Sequence, residues 1–301
     1  MTVDNAAAPT SGFSAWIGAM RPRTLTMALA PVFVGASLSW AVAGKINGLA
    51  AVVAMLGAAC IQIATNLFND ARDFERGGDG PDRIGPLRAA ASGQIEVAAI
   101  KRAAYAFFAL AALGGLYLAA VGGWPILLLG ILSIVSGWAY TGGPLPISYT
   151  PFGEIFVVAF FGLGAVCGTF WLCAGTMAPA PILAGLAVGG FAAGVLMVNN
   201  FRDAAADARV GRRTLAIAAG EQTSRWLFAA MMFGPFALLP FLVRQTPGHA
   251  IWLAAGALPL AFILVRRLFR EKPGPGLNSL LVRTAQTQAI FSLLLCLGAL
   301  L

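Results

Sequence analysis

Residues 103–153 read AAYAFFALAALGGLYLAAVGGWPILLLGILSIVSGWAYTGGPLPISYTPFG, without one Asp, Glu, Lys or Arg. Residues 155–201 form a second uncharged stretch. A bilayer-spanning helix needs about 20 apolar residues, so each stretch is long enough for two. The first is broken by Gly122-Gly123-Trp124-Pro125, the second by Ala174-Gly175-Thr176 and Pro179-Ala180-Pro181. Working outward, 24–44, 46–69, 226–243, 245–265 and 284–301 are also free of charge. The pattern predicts an all-α integral membrane protein with nine transmembrane helices, near 24–43, 47–69, 101–121, 125–141, 153–173, 181–201, 224–243, 249–268 and 283–301.

Composition agrees. Hydrophobic residues make up 59% of the 301 positions, with 36 glycines besides, and charged residues only 11%, against about 25% in a soluble domain. A globule of this size has too little interior to hide so much apolar surface. Soluble enzymes, secreted disulfide scaffolds, disordered chains and nucleic-acid binders are thereby excluded. The apolar runs are continuous rather than alternating, which excludes a β-barrel.

The net charge of +8 reads as a topology signal. With nine spans, 18 of the 20 Lys and Arg fall on one side, leaving only Lys45 and Arg244 on the other. The positive-inside rule then puts the N-terminus in the cytoplasm and the C-terminus outside. Residues 1–15 are small and polar and predict a disordered tail; 16–301 form one transmembrane domain. Cys60, Cys167, Cys173 and Cys296 lie scattered in apolar segments and read as packing residues. His249 is alone, so no histidine triad or histidine metal cluster is available.

The twelve acids are concentrated. Predicted helix two ends in Asn66-Leu67-Phe68-Asn69-Asp70-Ala71-Arg72-Asp73-Phe74-Glu75, and predicted helix six in Asn199-Asn200-Phe201-Arg202-Asp203-Ala204-Ala205-Ala206-Asp207. Residues three and four apart share a helix face. Asn66, Asp70 and Asp73 form one stripe; Asn199, Asp203 and Asp207 form another. Acids at a helix C-terminus oppose the helix dipole and repel each other at i,i+4, an arrangement that calls for a bound cation. Oxygen-only ligands suit Mg²⁺, which takes one or two carboxylates together with phosphate oxygens and water. The stripes lie in helices separated by an even number of spans, so they form two parallel pseudo-repeats converging on one cytoplasmic-facing pocket. Arg83, Arg88, Arg209, Arg212 and Arg213 follow the stripes and suit phosphate oxygens. Together these features predict a site for a diphosphate head with a long apolar tail. A transporter of an anionic solute is the competing reading; the short, nearly uncharged outer loops disfavour it.

The paired Asn/Asp stripes and nine-helix plan resemble the UbiA-type intramembrane aromatic prenyltransferases. Arg21-Pro22-Arg23-Thr24-Leu25, Asp82-Arg83-Ile84-Gly85-Pro86-Leu87-Arg88 with Ser92-Gly93, and Tyr140-Thr141-Gly142-Gly143-Pro144 running into Tyr149-Thr150-Pro151-Phe152-Gly153-Glu154 are similar to the dihydroxynaphthoate branch of that superfamily. The resemblance implies transfer of a polyprenyl group from its diphosphate to 1,4-dihydroxy-2-naphthoate, with loss of the ring carboxylate, in the cell membrane of a bacterium; another aromatic acceptor is the nearer alternative. It implies that Asn66, Asp70, Asp73, Asn199, Asp203 and Asp207 hold Mg²⁺ and diphosphate. It further implies that Arg83, Arg88 and Arg212 or Arg213 grip the phosphates, and that Tyr140 and Tyr149 face the cation or the acceptor ring. The first motif departs from the superfamily spacing: it reads Asp70-x2-Asp73, while Asn69-x3-Asp73 offers a second register, and Asp79 a further acid. Residues 70–100 are expected to form a short helical cap that closes over the pocket, with 202–223 as the corresponding loop.

Overall fold

The computed structural model describes residues 12–78, 84–85, 88–247 and 250–301. Arg83, Asp79 and His249 lie outside the described residues, as do residues 1–11. The elements of the described chain are all helices: α1 Gly12–Met20, α2 Pro22–Ala43, α3 Gly48–Glu75, α4 Val97–Gly122, α5 Trp124–Ala139, α6 Gly153–Ala174, α7 Pro179–Arg209, α8 Leu215–Ala219, α9 Glu221–Val243, α10 Ala250–Arg270 and α11 Leu277–Leu300. Eight of these are long and apolar enough to cross a membrane. The predicted fourth span is α5, which has only 16 residues and reaches about 24 Å, short of the roughly 30 Å hydrocarbon core.

The two long uncharged stretches divide where expected. Gly123, with φ 74°, separates α4 from α5, and Gly175, with φ 72°, ends α6. Both conformations are easy for glycine and strained for residues with a Cβ. The side chain of Asn47 caps α3, its Oδ1 accepting from the Ala50 N–H at 3.1 Å.

Two expectations need correction. Residues 12–15 are not a disordered tail: they open α1, whose Ala15 and Ala19 pack into a cluster with Leu67, Phe68 and Ala71 of α3. At nine residues α1 is too short to register as a span. Helices α3 and α7 run beyond the uncharged stretches, to Glu75 and Arg209, so both acidic stripes lie on regular helix as the spacing of the acids predicts. Among the described residues, the first cap is not helical: Ala89–Gly93 forms turns packed on α3 through Ala89, Ala90 and Ile95.

The core sits around α7, which packs on α6, α9 and α11. The α6–α7 contact is backbone to backbone. A Cβ on Gly162 would lie 2.7 Å from the Gly189 Cα and would also collide with the Gly185 carbonyl. Small residues permit such approach between membrane helices. Gly162 belongs to a π-helical stretch, Val158–Gly164, inside α6; such bulges are frequent at functional sites, and Phe160 and Phe161 of this stretch line the cavity described below. Gly162→Leu should therefore overpack the interface, costing about 1–3 kcal/mol and lowering the thermal unfolding midpoint in detergent. Gly234→Ala, where a Cβ meets nothing within 4 Å, should leave the midpoint unchanged or slightly raised.

Candidate functional site

A single cavity of about 1290 Å³ lies between α3 and α7 and extends along α2, α4, α5 and α6. Its polar end receives both acidic stripes: Asn66, Asn69, Asp70 and Asp73 from α3, and Asn199, Asp203 and Asp207 from α7. Deeper in, the wall becomes apolar, with Leu118, Ile126, Leu129, Phe160 and Phe161. Leu116 and Ile131 also line it and are 63% and 52% exposed. The cavity is thus polar at one end and apolar at the other.

The two stripes converge through one guanidinium. Arg212 Nη2 lies 2.6 Å from Asp73 Oδ1, and Nη1 lies 2.9 Å from Asp207 Oδ1. Burial opposes the Arg212 charge, but Asp73 and Asp207 outweigh it and hold the pKa of the group above the ordinary arginine value. Arg88 Nη1 takes the other Asp73 oxygen at 2.6 Å. Arg202 binds Asp203 in a bidentate pair at 2.8 and 2.6 Å and also donates to Asn199 Oδ1 and Asn278 Oδ1. The four carboxylates, Asp70, Asp73, Asp203 and Asp207, thus face three guanidiniums, and the site is nearly neutral.

Asp70, 1% exposed, has a second duty. Its oxygens accept the backbone N–H groups of Ala89 and Ala90 at 3.2 and 3.1 Å, so this carboxylate anchors the loop that follows α3. Both asparagine registers are engaged as well. Asn66 donates to the Met20 carbonyl at 3.0 Å and to Thr24 Oγ1 at 2.9 Å, whereas Asn69 Oδ1 accepts from Thr141 Oγ1 at 2.6 Å.

Tyr140 lines the cavity, as do Arg88 and Arg212. Three expected site residues do not. Arg209 is exposed on the last turn of α7. Arg213 is exposed and meets Tyr149 only through its backbone N–H, so Arg212 is the arginine of that pair within the site. Tyr149 lies outside the cavity wall and is stacked between Arg76 and Arg212, each 5.1 Å from its ring centre; it supports the site through Arg212. Sequence reasoning missed Arg202, Gln62 and Asn278. Arg202 adjoins Asp203 within the second motif and was findable there. Asn278 comes from α11, 75 residues from Asp203, with no local signal.

Among the described residues no three acidic, cysteine or histidine side chains form a ready-made metal cage. The donors present are carboxylate and amide oxygens, which fit a hard divalent ion whose remaining ligands come from phosphate and water.

Arg212→Ala should leave Asp73 and Asp207 without their shared partner and cost roughly 3–5 kcal/mol, visible as a lower unfolding midpoint. Arg213→Ala should change stability by less than about 0.5 kcal/mol. Asp70→Ala should accelerate amide hydrogen exchange at Ala89 and Ala90, because both N–H groups lose their acceptor.

The UbiA prenyltransferase family model matches residues 28–300. The chain is 37% identical over 292 residues to the 1,4-dihydroxy-2-naphthoate octaprenyltransferase of Escherichia coli, covering 94% of each. It is 32% identical to the protein of that name from Bacillus subtilis, covering 93% of this chain and 90% of the relative. A UbiA homologue from Archaeoglobus fulgidus, solved bound to GPP and Mg²⁺, superposes with a TM-score of 0.71 at 18% identity, over 95% of this chain and 99% of that one. The apo structure of a UbiA homologue from Aeropyrum pernix gives the same TM-score at 15% identity, over 92% and 98%. These two share the fold. The family match over most of the chain, together with two acidic helices closing on one cavity with an apolar wall, establishes that this protein belongs to the UbiA prenyltransferase family.

Proposed function

We propose that this chain transfers a polyprenyl group from its diphosphate to 1,4-dihydroxy-2-naphthoate, with release of pyrophosphate and of the ring carboxylate as CO2, giving the prenylated hydroquinone, demethylmenaquinol. We propose also that the reaction depends on Mg²⁺ and takes place at the cytoplasmic face of the membrane. The observation that carries this reading is the cavity itself: one volume joins carboxylates and guanidiniums at one end to an apolar wall at the other. Those are the needs of a diphosphate head and a prenyl tail. The name shared by the bacterial relatives supports the acceptor. The arginine asymmetry of the sequence supports the orientation, with nine membrane-embedded helices and the acidic mouth inside.

The residues present divide the work as follows. Asp70, Asp73, Asp203 and Asp207, with Asn199, would hold Mg²⁺, while Arg88 and Arg212 would contact phosphate oxygens by charge-assisted hydrogen bonds. Bound Mg²⁺ supplies Lewis acidity that stabilises the departing pyrophosphate. Because the carboxylates are already nearly balanced by Arg88, Arg202 and Arg212, they retain little excess charge to draw in divalent ions alone. Diphosphate brings the additional negative charge and gives the guanidiniums a new partner. The C–O bond to the prenyl group breaks with its electron pair going to pyrophosphate, the electron-rich ring forms the new C–C bond, and the ring's bond to the carboxylate breaks with CO2 leaving and the bonding pair returning to the ring. Tyr140 presents an aromatic surface towards the developing cation. The loop pinned by Asp70 and the apolar wall limit the access of water to it.

The test is product formation by the purified protein in lipid nanodiscs given a polyprenyl diphosphate, Mg²⁺ and dihydroxynaphthoate. Pyrophosphate release should accompany a prenylated, decarboxylated product seen by mass spectrometry, and EDTA should abolish both. Asp203→Asn, which keeps a hydrogen-bonding oxygen beside Arg202 but removes the charge, should lower turnover at least a hundredfold with little change in unfolding midpoint. A wild-type protein that consumes neither substrate would end this reading.

A further inference from the structure

A second groove, of about 230 Å³, lies between α10 and α11 and shares no lining residue with the central cavity. Helix α10 contributes Leu260, Ile263 and Leu264; α11 contributes Arg283, Gln286 and Ile290. The three α11 residues are spaced i, i+3 and i+7 and follow one helix face. Arg283, Gln286, Ile263 and Ile290 are all exposed. The groove thus pairs two polar side chains on one helix with an aliphatic floor.

Its position in the bundle makes the arginine costly. Helix α11 begins at the acidic end of the central cavity, where Arg202 donates to Asn278. Arg283 follows Leu277, the first residue of α11, by six positions, about 9 Å along the axis. Residues 284–301 carry no charge, so Arg283 stands where the uncharged span starts and Gln286 stands one turn deeper. A charge at such a depth is unfavourable against hydrocarbon, and a long basic side chain there extends towards the headgroup layer. Among the described residues no carboxylate or carbonyl meets the Arg283 guanidinium; only its backbone carbonyl is engaged, by Thr287 Oγ1 at 2.9 Å. The helix pair offers no acid to spare. Between 250 and 301 the cations Arg266, Arg267, Arg270, Lys272 and Arg283 face a single acid, Glu271, and Glu271 is already bonded to Arg267.

We propose that this groove binds an anionic phospholipid: Arg283 and Gln286 donate to its phosphate oxygens, and an acyl chain lies along Leu260, Ile263 and Ile290. A planar guanidinium matches phosphate oxygens, and basic pockets between membrane helices at headgroup level recognise such lipids. The lipid supplies both complements at once, an anion for the polar lip and hydrocarbon for the floor. A second copy of the chain fits less well, because a two-fold contact through this face would bring one Arg283 towards another. The proposal does not depend on the reaction assigned above.

The experiment titrates delipidated full-length protein in detergent with phosphatidylglycerol or phosphatidylcholine. Bound lipid is counted by native mass spectrometry and the unfolding midpoint is followed in parallel. Wild type should retain phosphatidylglycerol in preference to phosphatidylcholine, with a raised midpoint. The soluble headgroup analogue sn-glycerol 3-phosphate, which lacks acyl chains, should leave the midpoint unchanged. Arg283→Met should weaken phosphatidylglycerol binding about fivefold, the effect of one cation beside an anionic headgroup, and leave phosphatidylcholine binding and the lipid-free midpoint as in wild type. Arg283→Lys should keep most of the preference. Arg244→Met, which removes an exposed arginine beyond the end of α9, should change nothing. An undiminished preference in Arg283→Met, or an equal loss in Arg244→Met, overturns the site. So does a dimer that dissociates in Arg283→Met with lipid retention unaltered, since a second copy is then the occupant. Should Arg283→Met not fold, undiminished phosphatidylglycerol binding in Gln286→Leu overturns the site in its place.

Discussion

Arg212 joins two helices that stand on opposite sides of a cavity. Its guanidinium reaches Asp73 at the end of α3 and Asp207 at the end of α7, and without it two carboxylates would face each other across a poorly solvated gap. Tyr149 and Arg76 hold it from behind, while Arg88 balances the remaining Asp73 oxygen. The polar end therefore depends on charge compensation rather than apolar packing. That is why a site so rich in carboxylates can exist at the mouth of a membrane bundle. The same compensation sets the chemistry. Guanidiniums that neutralise carboxylates are equally suited to phosphate oxygens, so an incoming diphosphate exchanges partners with the protein instead of entering an empty charged pocket.

The helical architecture was legible because charge is so scarce in this chain. Uncharged stretches of known length, cut by Gly123 and Gly175, predict where the eight long helices lie, while the fourth of the nine expected spans is the 16-residue α5. The short α1 and the 16-residue α5 mark the edge of that reasoning, since both depart from the spanning length on which it relies. The extension of α3 to Glu75 and α7 to Arg209 was not readable from hydropathy, because the acids that end the apolar run do not end the helix.

At the site, the i,i+3 and i,i+4 spacing of the acids disclosed both stripes, and Arg88 and Arg212 were among the arginines expected to accompany them. Tertiary partners were hidden. Nothing local indicates that Asp70 fastens the backbone of Ala89 and Ala90, or that Asn278 reaches Arg202 from α11. Tyr149 and Arg213 illustrate the converse: spacing places them near the site, but side-chain direction sends one behind Arg212 and the other to the surface.

The physical signal that proved most informative was charge placed against its helix. Asp70, Asp73, Asp203 and Asp207 sit where helix dipoles are negative; Arg21 and Arg23 sit where one is positive. Each placement is unfavourable in isolation, and each occurs on the wall of the same cavity. Charges chosen for folding alone would complement the dipoles, as Arg267 and Arg270 do in the last turn of α10. Where the sequence does the reverse on a cavity wall, the placement belongs to a site built to bind: the two acidic stripes, balanced by Arg88, Arg202 and Arg212, are arranged to exchange those partners for a cation and a diphosphate.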